Sequence, residues 1–239
     1  YVGQKRFSLE GLESAVPALD AMIDAAAEAG VQDVVIGMAH RGRLNILANI
    51  MEKPAQHIFT EFDGKDYADV ADTFDGDVKY HLGYTSEKTT NAGKKINLNL
   101  ASHLETVGAV IEGVVRAKQD KVYADQFSKV LPVALHGDAA VAGQGIVYEI
   151  VQMSKLRAYQ TAGTIHVVLN NQVGFTTSPI DARSGVYSTD VAKVVAAPVV
   201  HVNADDTEAA VKAMLFALAY RMEFKEDVFV DLVGYRKYG

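Results

Sequence analysis

The chain has 239 residues, 49% of them hydrophobic and 22% charged, which suits one sizeable α/β domain or two small ones. Its net charge of −7 argues against general affinity for nucleic acid or an anionic membrane, and no apolar run is long enough for a membrane span. The absence of cysteine excludes disulfides and cysteine-ligated zinc. Because the chain opens at Tyr1 rather than at Met, we interpret residues 1–239 as a single domain cut from a longer polypeptide, whose targeting segment is not visible.

Helix-like and strand-like segments alternate along the chain. Apolar spacing predicts helices over 9–29, with a stop at Gly30, and over 44–62, 105–119, 144–159 and 206–224. Short apolar runs predict strands over 33–38, 96–100, 130–135, 164–171, 197–202 and 227–235. The polar stretch at about 63–95 shows no period and predicts a long functional or disordered loop. Strands that are apolar on both faces and separated by helices predict an α/β fold with a parallel sheet covered on both sides.

Polar clusters follow four of these strands. HRGR follows 33–38, SHLE follows 96–100, HGD follows 130–135, and NNQVGF follows the strand that begins at 164. In open α/β sheets, ligands bind outside the carboxyl ends of the strands. The four clusters are therefore expected at one edge, and their convergence is stronger evidence for a site than any one cluster alone.

The turn HGDAAVAGQG puts an acidic residue where small residues usually mean a nearby phosphate. Two interpretations stay open: in the structural one, Asp138 caps the following helix and Asn170 and Asn171 end a strand. The functional reading is that Asp138 and Asn171 share Mg²⁺ with a diphosphate, and the carbonyl of Val173 is a natural third ligand. A cation between the two anions removes their repulsion.

Arg41 and Arg43 are either a solvated basic loop or donors to the same diphosphate. Histidines within predicted elements are expected to be structural, whereas those at strand exits or in the long loop are candidates for proton transfer or substrate binding. The first group is His57, His166 and His201, and the second is His40, His81, His103 and His136. The chain contains no Walker phosphate loop, no GxGxxG, no HExxH and no GxSxG.

The spacing of GD at 137–138 and NN at 170–171 resembles the thiamin-diphosphate-binding motif, in a slightly lengthened form. Longer sequence segments are more specific. RFSLEGLES, GMAHRGRLN, GDVKYHLGY, LNNQVGFTT, DARS, HVNADD and DLVGYRKYG together resemble the E1 components of 2-oxoglutarate dehydrogenase, from Tyr1 to Gly239. The resemblance covers the diphosphate-binding domain, roughly a quarter of such a subunit, and implies a three-layer thiamin-diphosphate-binding fold.

The resemblance also implies roles for individual residues. It assigns catalysis to His40, His81 and His103, of which His40 and His81 also bind the substrate. The implied cofactor-binding residues are Arg41, Ser102, Leu104, Asp138, Ala139, Ala140 and Asn171, and the implied metal ligands are Asp138, Asn171 and Val173. Leu100 and Ala101 stand where the family usually has Asn-Pro. The carboxylate that activates the cofactor belongs to another domain, so the fragment alone is expected to be inactive.

The implied activity is thiamin-diphosphate- and Mg²⁺-dependent oxidative decarboxylation of 2-oxoglutarate in the tricarboxylic acid cycle, with transfer of the succinyl group to the lipoyl group of an E2 partner. The implied parent is a homodimer, located in the cytoplasm of a bacterium or the mitochondrial matrix of a eukaryote. Three alternatives stay open: another thiamin-diphosphate enzyme (a pyruvate-type E1 or a transketolase), a non-catalytic phosphate-binding domain, and an interaction module.

Overall fold

The protein is described by a computed structural model that covers residues 5–63 and 79–237. Seven strands form one sheet in the order β2-β3-β1-β4-β5-β7-β6. The strands are β1 (Asp33–Met38), β2 (Tyr84–Thr89), β3 (Lys95–Ser102), β4 (Val130–Gly137), β5 (Ile165–Asn170), β6 (Val199–Asn203) and β7 (Val228–Val233). Every neighbouring pair is parallel except β2 and β3, which are antiparallel.

Helices connect the parallel strands. They are α1 (Ala15–Glu28), α2 (Arg43–Asn45), which continues as a π-helical turn (Ile46–Ile50), α3 (Ala55–Phe62), α4 (Thr106–Lys121), α5 (Asp138–Gly143), α6 (Gly145–Met153), α7 (Pro179–Ala182) and α8 (Thr207–Phe224). Short 3₁₀ turns occupy Lys79–His81, Phe127–Lys129 and Ser188–Val195. None of the helices described is long and apolar enough to cross a membrane.

The sheet is covered on both faces because successive strand residues point to opposite sides. In β1, Val34 and Ile36 belong to the large core beneath α1 and α8, whereas Val35 packs with α4 on the other face. In β7, Val230 belongs to the large core and Phe229 packs with α6. This α/β/α arrangement confirms the predicted fold class, with the three layers expected of a thiamin-diphosphate-binding fold.

Several predicted elements differ from the structure. The helix predicted over 44–62 is broken near Pro54, which has an extended ψ of 134° before α3 begins. The loop predicted over about 63–95 contains the strand β2, which was missed because its side chains are mostly polar; residues 64–78 lie outside the described part. His136 was expected at a strand exit but lies inside β4, which continues to Gly137. The helix predicted over 206–224 is confirmed as α8, and the side chain of Asp206 caps it by accepting a hydrogen bond from the backbone of Ala209.

Candidate active site

The four polar clusters leave the sheet at the same edge. Met38 at the end of β1 pairs with Ser102 in β3 and with Leu135 in β4, and Gly137 pairs with Leu169 in β5. Since these strands are parallel, the residues that follow them emerge on one side. The prediction of a common edge is therefore confirmed by the strand register.

Three histidines from different segments lie against one another at this edge, and we call them the histidine row: His40, His81 and His103. The ring centroids of His40 and His81 are 5.3 Å apart with the planes nearly parallel, and those of His81 and His103 are 4.1 Å apart. The ring of Phe7 lies next to that of His40, with the two ring centroids 4.7 Å apart. The sequence separates the first and last members by a helix pair and a hairpin, yet the fold brings all three together.

The two ends of the histidine row differ in hydrogen bonding. His40 Nε2 is buried and has no hydrogen-bond partner within the structure described. Burial, followed by the charges of His81 and Arg43, lowers the pKa of His40 below its ordinary value. At the other end, His103 Nδ1 lies 2.8 Å from the backbone nitrogen of Leu104 and 2.9 Å from the hydroxyl of Thr106. His40 therefore offers an unused polar atom, whereas one nitrogen of His103 is already occupied.

A cavity of about 270 Å³ adjoins the row. His81, Ser102, His103 and Thr106 contribute to its lining. The hydroxyl of Ser102 donates to the carbonyl of Tyr80 at 3.1 Å, so it ties β3 to the turn that carries His81. The side chain of Ser102 is thus already engaged in positioning His81, beside its predicted contact with a cofactor.

Oxygen atoms converge beyond β4 and β5, and we call this group the oxygen cluster: Asp138, Asn171 and Val173. One end of the Asn171 amide lies 3.3 Å from Asp138 Oδ1 and 3.1 Å from the carbonyl oxygen of Val173, and the other end lies 3.2 Å from Arg41 Nη2. With its nitrogen toward the two oxygens, the amide satisfies every group without a cation. With its oxygen toward them, three oxygens face one point and need a cation between them.

The donor set of the oxygen cluster fits Mg²⁺, which prefers oxygen ligands and takes one or two carboxylates. The described residues contain no group of three or more histidine, aspartate or glutamate side chains that could hold a metal ion. That finding does not conflict with the cluster, because its three oxygens come from one carboxylate, one amide and one backbone carbonyl.

Asp138 is the buried anion of the cluster, with its side chain only 5% exposed. Burial raises the pKa of its carboxyl, while backbone N–H groups at the start of α5 and the guanidinium of Arg183 oppose that rise. Arg183 Nη1 lies 4.0 Å from Asp138 Oδ2, on the side away from Asn171. The expectation of a simple helix cap is therefore insufficient, because the two carboxylate oxygens face different partners.

The remaining predicted contacts lie around this cluster. Ala139 is exposed and Ala140 half-buried in the first turn of α5, and Gly174 approaches so closely that an added Cβ would lie 2.7 Å from the Ala139 methyl group. Leu104 exposes 43% of its surface at the end of the segment after β3. These residues border open space at the sheet edge rather than the core.

The two arginines of HRGR do different things. Arg41 donates to the carbonyl of Ser8 at 2.8 Å, and burial together with nearby Arg236 lowers its pKa. Its second terminal nitrogen faces Asn171, so it borders the oxygen cluster. Arg43 is only 4% exposed and donates to the carbonyl of Leu82, so it supports the turn that carries His81. Its burial contradicts the solvated-loop alternative for Arg43, and its contact with a diphosphate stays a prediction.

Sequence reasoning missed a second polar group, inside the molecule, which we call the interior polar chain: Glu105, His136, His166 and Asp227. His136 Nδ1 lies 2.6 Å from Glu105 Oε2, and His136 Nε2 lies 3.0 Å from His166 Nδ1. His166 Nε2 faces Asp227 Oδ2 at 3.7 Å, an ion-pair distance rather than a hydrogen bond. His136 was a candidate for the active site, but both of its ring nitrogens have partners inside the interior polar chain.

A cavity of about 590 Å³, larger than the one beside the histidine row, lies between α4 and α6. Ala109, Gly113, Ala117 and Ile150 give it an apolar wall, and Glu112 and Asp227 lie at its polar end. Neither the histidine row nor the oxygen cluster contributes to the lining of this cavity.

Known proteins match this chain along its whole length. The family described as dehydrogenase E1 component matches residues 1–239. The chain is 51% identical to "2-oxoglutarate dehydrogenase, mitochondrial" of Dictyostelium discoideum and 53% identical to "2-oxoglutarate dehydrogenase E1 component" of Cupriavidus necator, with all of the chain and 24% and 25% of those proteins covered.

A third relative is "Multifunctional 2-oxoglutarate metabolism enzyme" of Mycolicibacterium vanbaalenii, at 53% identity over all of the chain and 20% of that protein. The chain thus spans a fifth to a quarter of the length of these relatives. Because the match extends over every residue and includes both the histidine row and the oxygen cluster, the chain belongs to the dehydrogenase E1 component family.

Proposed function

We propose that this chain is the diphosphate-binding part of a 2-oxoglutarate dehydrogenase E1 component. The parent enzyme would decarboxylate 2-oxoglutarate oxidatively with thiamin diphosphate and Mg²⁺, and pass the succinyl group to a lipoyl group on an E2 partner. The observation that supports this most is the oxygen cluster. Asp138 Oδ1 and the Val173 carbonyl oxygen lie beside one end of the Asn171 amide, next to Arg41. With the amide oxygen turned to that end, the three oxygens suit a divalent cation that carries a diphosphate.

In this proposal, the oxygen cluster holds Mg²⁺ and Arg41 supplies a charge-assisted donor to the diphosphate. The first turn of α5, with Ala139 and Ala140, and the segment at Ser102 and Leu104 border the cofactor. Bound thiamin diphosphate would supply the electron sink that decarboxylation of a 2-oxo acid requires. The chain's own residues bind, orient and exchange protons around it.

The histidine row is proposed as the substrate side of the site. In this proposal, His40 and His81 bind the 2-oxo acid, and it is supported by the stacking of their rings and by the unpartnered Nε2 of His40. Because burial lowers the pKa of His40, its ring is neutral near pH 7 and can either accept a proton or donate one N–H. A 2-oxo acid with a second carboxylate needs such polar partners at both of its ends.

The rest of the assignment depends on the parent protein. We propose a homodimer, in the cytoplasm of a bacterium or the mitochondrial matrix of a eukaryote, working with a lipoyl-bearing E2. The activating carboxylate is expected outside residues 1–239, so the isolated chain should bind cofactor weakly and turn over no substrate. The nearest alternative is a thiamin-diphosphate enzyme for another 2-oxo acid or for sugar phosphates.

Two measurements test the proposal. The parent enzyme is assayed with a panel of 2-oxo acids, and 2-oxoglutarate is expected to give the highest kcat/KM; a higher value for pyruvate would move the assignment to a pyruvate-type E1. Thiamin diphosphate is also titrated into the parent enzyme by calorimetry, with and without Mg²⁺. Saturable binding that requires Mg²⁺ is expected, and equal binding without the cation would contradict the role of the oxygen cluster.

A further inference from the structure

We infer that His103 acts as a fixed N–H donor with its hydrogen on Nε2, and that Thr106 is the residue that positions its ring. The inference rests on the proposed function, because the donor is assigned to the 2-oxo acid or to the oxyanion that forms from it. The position of the hydrogen on the His103 ring does not depend on that function.

The hydrogen bonds at Nδ1 determine this assignment. The backbone nitrogen of Leu104 lies 2.8 Å from His103 Nδ1 in donor geometry, and a backbone N–H can only donate. Nδ1 must therefore be the acceptor, and in a neutral imidazole the hydrogen then resides on Nε2. The hydroxyl of Thr106, 2.9 Å from the same nitrogen, can rotate to donate as well.

The position of Thr106 follows from the local fold. It is the first residue of α4, three residues after His103, so the opening turn of that helix carries the hydroxyl back to the ring. Thr106 and His103 both line the cavity of about 270 Å³. The side chain of Thr106 is exposed and bonds no described side chain other than His103, so holding this ring is its evident contribution.

The consequence is a division of labour along the histidine row. A hydrogen on His103 Nδ1 would point at the amide hydrogen of Leu104, so accepting a proton there would break the hydrogen bond that orients the ring. His103 therefore suits an acceptor oxygen, such as a carbonyl or a developing oxyanion, which preorganised N–H groups stabilise. His40, whose Nε2 has no partner among the residues described, suits proton transfer better.

The kinetic test uses the full-length parent enzyme with His103→Gln and His103→Leu. A glutamine amide keeps an N–H group near the position of Nε2, whereas leucine keeps only the bulk. We expect kcat/KM for 2-oxoglutarate to stay within about tenfold for glutamine and to fall about a hundredfold or more for leucine, the usual loss for one oxyanion donor. Equal losses in the two variants would overturn the donor role.

The positioning role is tested with Thr106→Val and Thr106→Ser. Valine keeps the β-branched shape without the hydroxyl, and we expect kcat to fall about three- to tenfold with KM unchanged, which is the loss expected for one hydrogen bond. Serine restores the hydroxyl and should restore kcat. A serine variant as slow as the valine variant would show that the hydroxyl does not position the ring.

A readout that needs no turnover comes from solid-state ¹⁵N NMR of the full-length enzyme labelled at histidine, with His103 assigned by difference from His103→Gln. We expect the resonances of a ring protonated at Nε2 and unprotonated at Nδ1. A signal from protonated Nδ1 at neutral pH would overturn the inference. If the wild-type enzyme failed to decarboxylate 2-oxoglutarate, the proposed function would fail, while the spectrum would still decide which nitrogen carries the hydrogen.

Discussion

The histidine row and the interior polar chain both contain histidines, but the two groups differ in whether the ring nitrogens have partners. In the interior, each ring nitrogen of His136 and His166 faces a partner within the chain, and the side chains are at most 5% exposed. At the edge, His40 keeps one ring nitrogen without a partner in the described residues. His136 and His166 lie within the strands β4 and β5, whereas His40 and His103 follow the ends of β1 and β3. A histidine inside a central strand stabilises the fold, and one beyond a strand end remains available to a ligand.

The largest effect is expected from breaking the interior chain with His166→Phe. Phenylalanine can keep the stacking with Phe229, but Asp227 Oδ2 and one nitrogen of His136 lose the partner that His166 provides, while Asp227 Oδ1 keeps its bond from the backbone of Thr164. A buried polar group left without its partner costs about 1–3 kcal/mol, and a charged one more, so hydrogen exchange in β4 and β5 of the full-length protein should accelerate accordingly. His57→Phe, on the exposed face of α3, is the control. Unchanged hydrogen exchange in His166→Phe would mean that the interior polar chain contributes nothing to stability.

Glu112, beside the interior chain, should make stability depend on pH. Burial raises its pKa from 4.5 to about 7, despite hydrogen bonds from Thr164 and Thr161. The folded state therefore holds the proton more tightly than the unfolded state, so stability falls as pH rises from about 4.5 through about 7.

Glu112→Gln removes that slope. The variant should be more stable than the parent above pH 7 by up to roughly 3 kcal/mol, and the difference should vanish toward pH 4.5. Tm measured across this range tests it, with Glu149→Gln as an exposed control. Parallel Tm profiles for parent and variant would contradict the burial argument.

At the edge, Asp138→Asn should spare stability and impair ligand binding. The substitution keeps the shape of the side chain but removes the charge of the oxygen cluster. Mg²⁺-dependent affinity for thiamin diphosphate should fall at least about tenfold, or 1.4 kcal/mol, by calorimetry on the parent enzyme. Asp205→Asn, on an exposed turn, controls for net charge. Equal affinity in Asp138→Asn and its control would refute the metal assignment.

The smallest effect is expected for Arg183→Gln. Arg183 faces Asp138 Oδ2 at 4.0 Å, beyond a direct hydrogen bond, so it orients the carboxylate only weakly. Cofactor affinity should fall about two- to threefold, within the small range of an exposed or distant ion pair. A loss as large as that of Asp138→Asn would show that Arg183 itself contacts the ligand.

The sequence allowed the sheet and its functional edge to be predicted because the central strands are apolar on both faces and the polar clusters directly follow them. The strand β2 escaped prediction, since YTSEKT lies at the edge of the sheet and needs little apolar surface. The break before α3 was predictable, since Pro54 stands in the sequence and proline disrupts the interior of a helix.

Within the site, residues at strand ends were easier to predict than contacts across the chain. Asp138 and Asn171 were recognisable from their positions after β4 and β5. The different uses of Arg41 and Arg43 were not, because they depend on the carbonyl of Leu82, distant in sequence. The pairing of His136 with Glu105 joins a strand to a helix start 31 positions away, and no local pattern records it.

The charged strand β2 also bears on how the molecule avoids polymerising. It is an outer strand of the sheet, and such a strand can template pairing with another chain. Its Lys88 is bound to Asp20, and its Glu87 is bound to Lys95 of β3 at 2.6 Å. The opposite outer strand, β6, is only five residues long. Replacing Glu87 and Lys88 with apolar β-formers would leave the site untouched and make this border of the sheet a seed for aggregation.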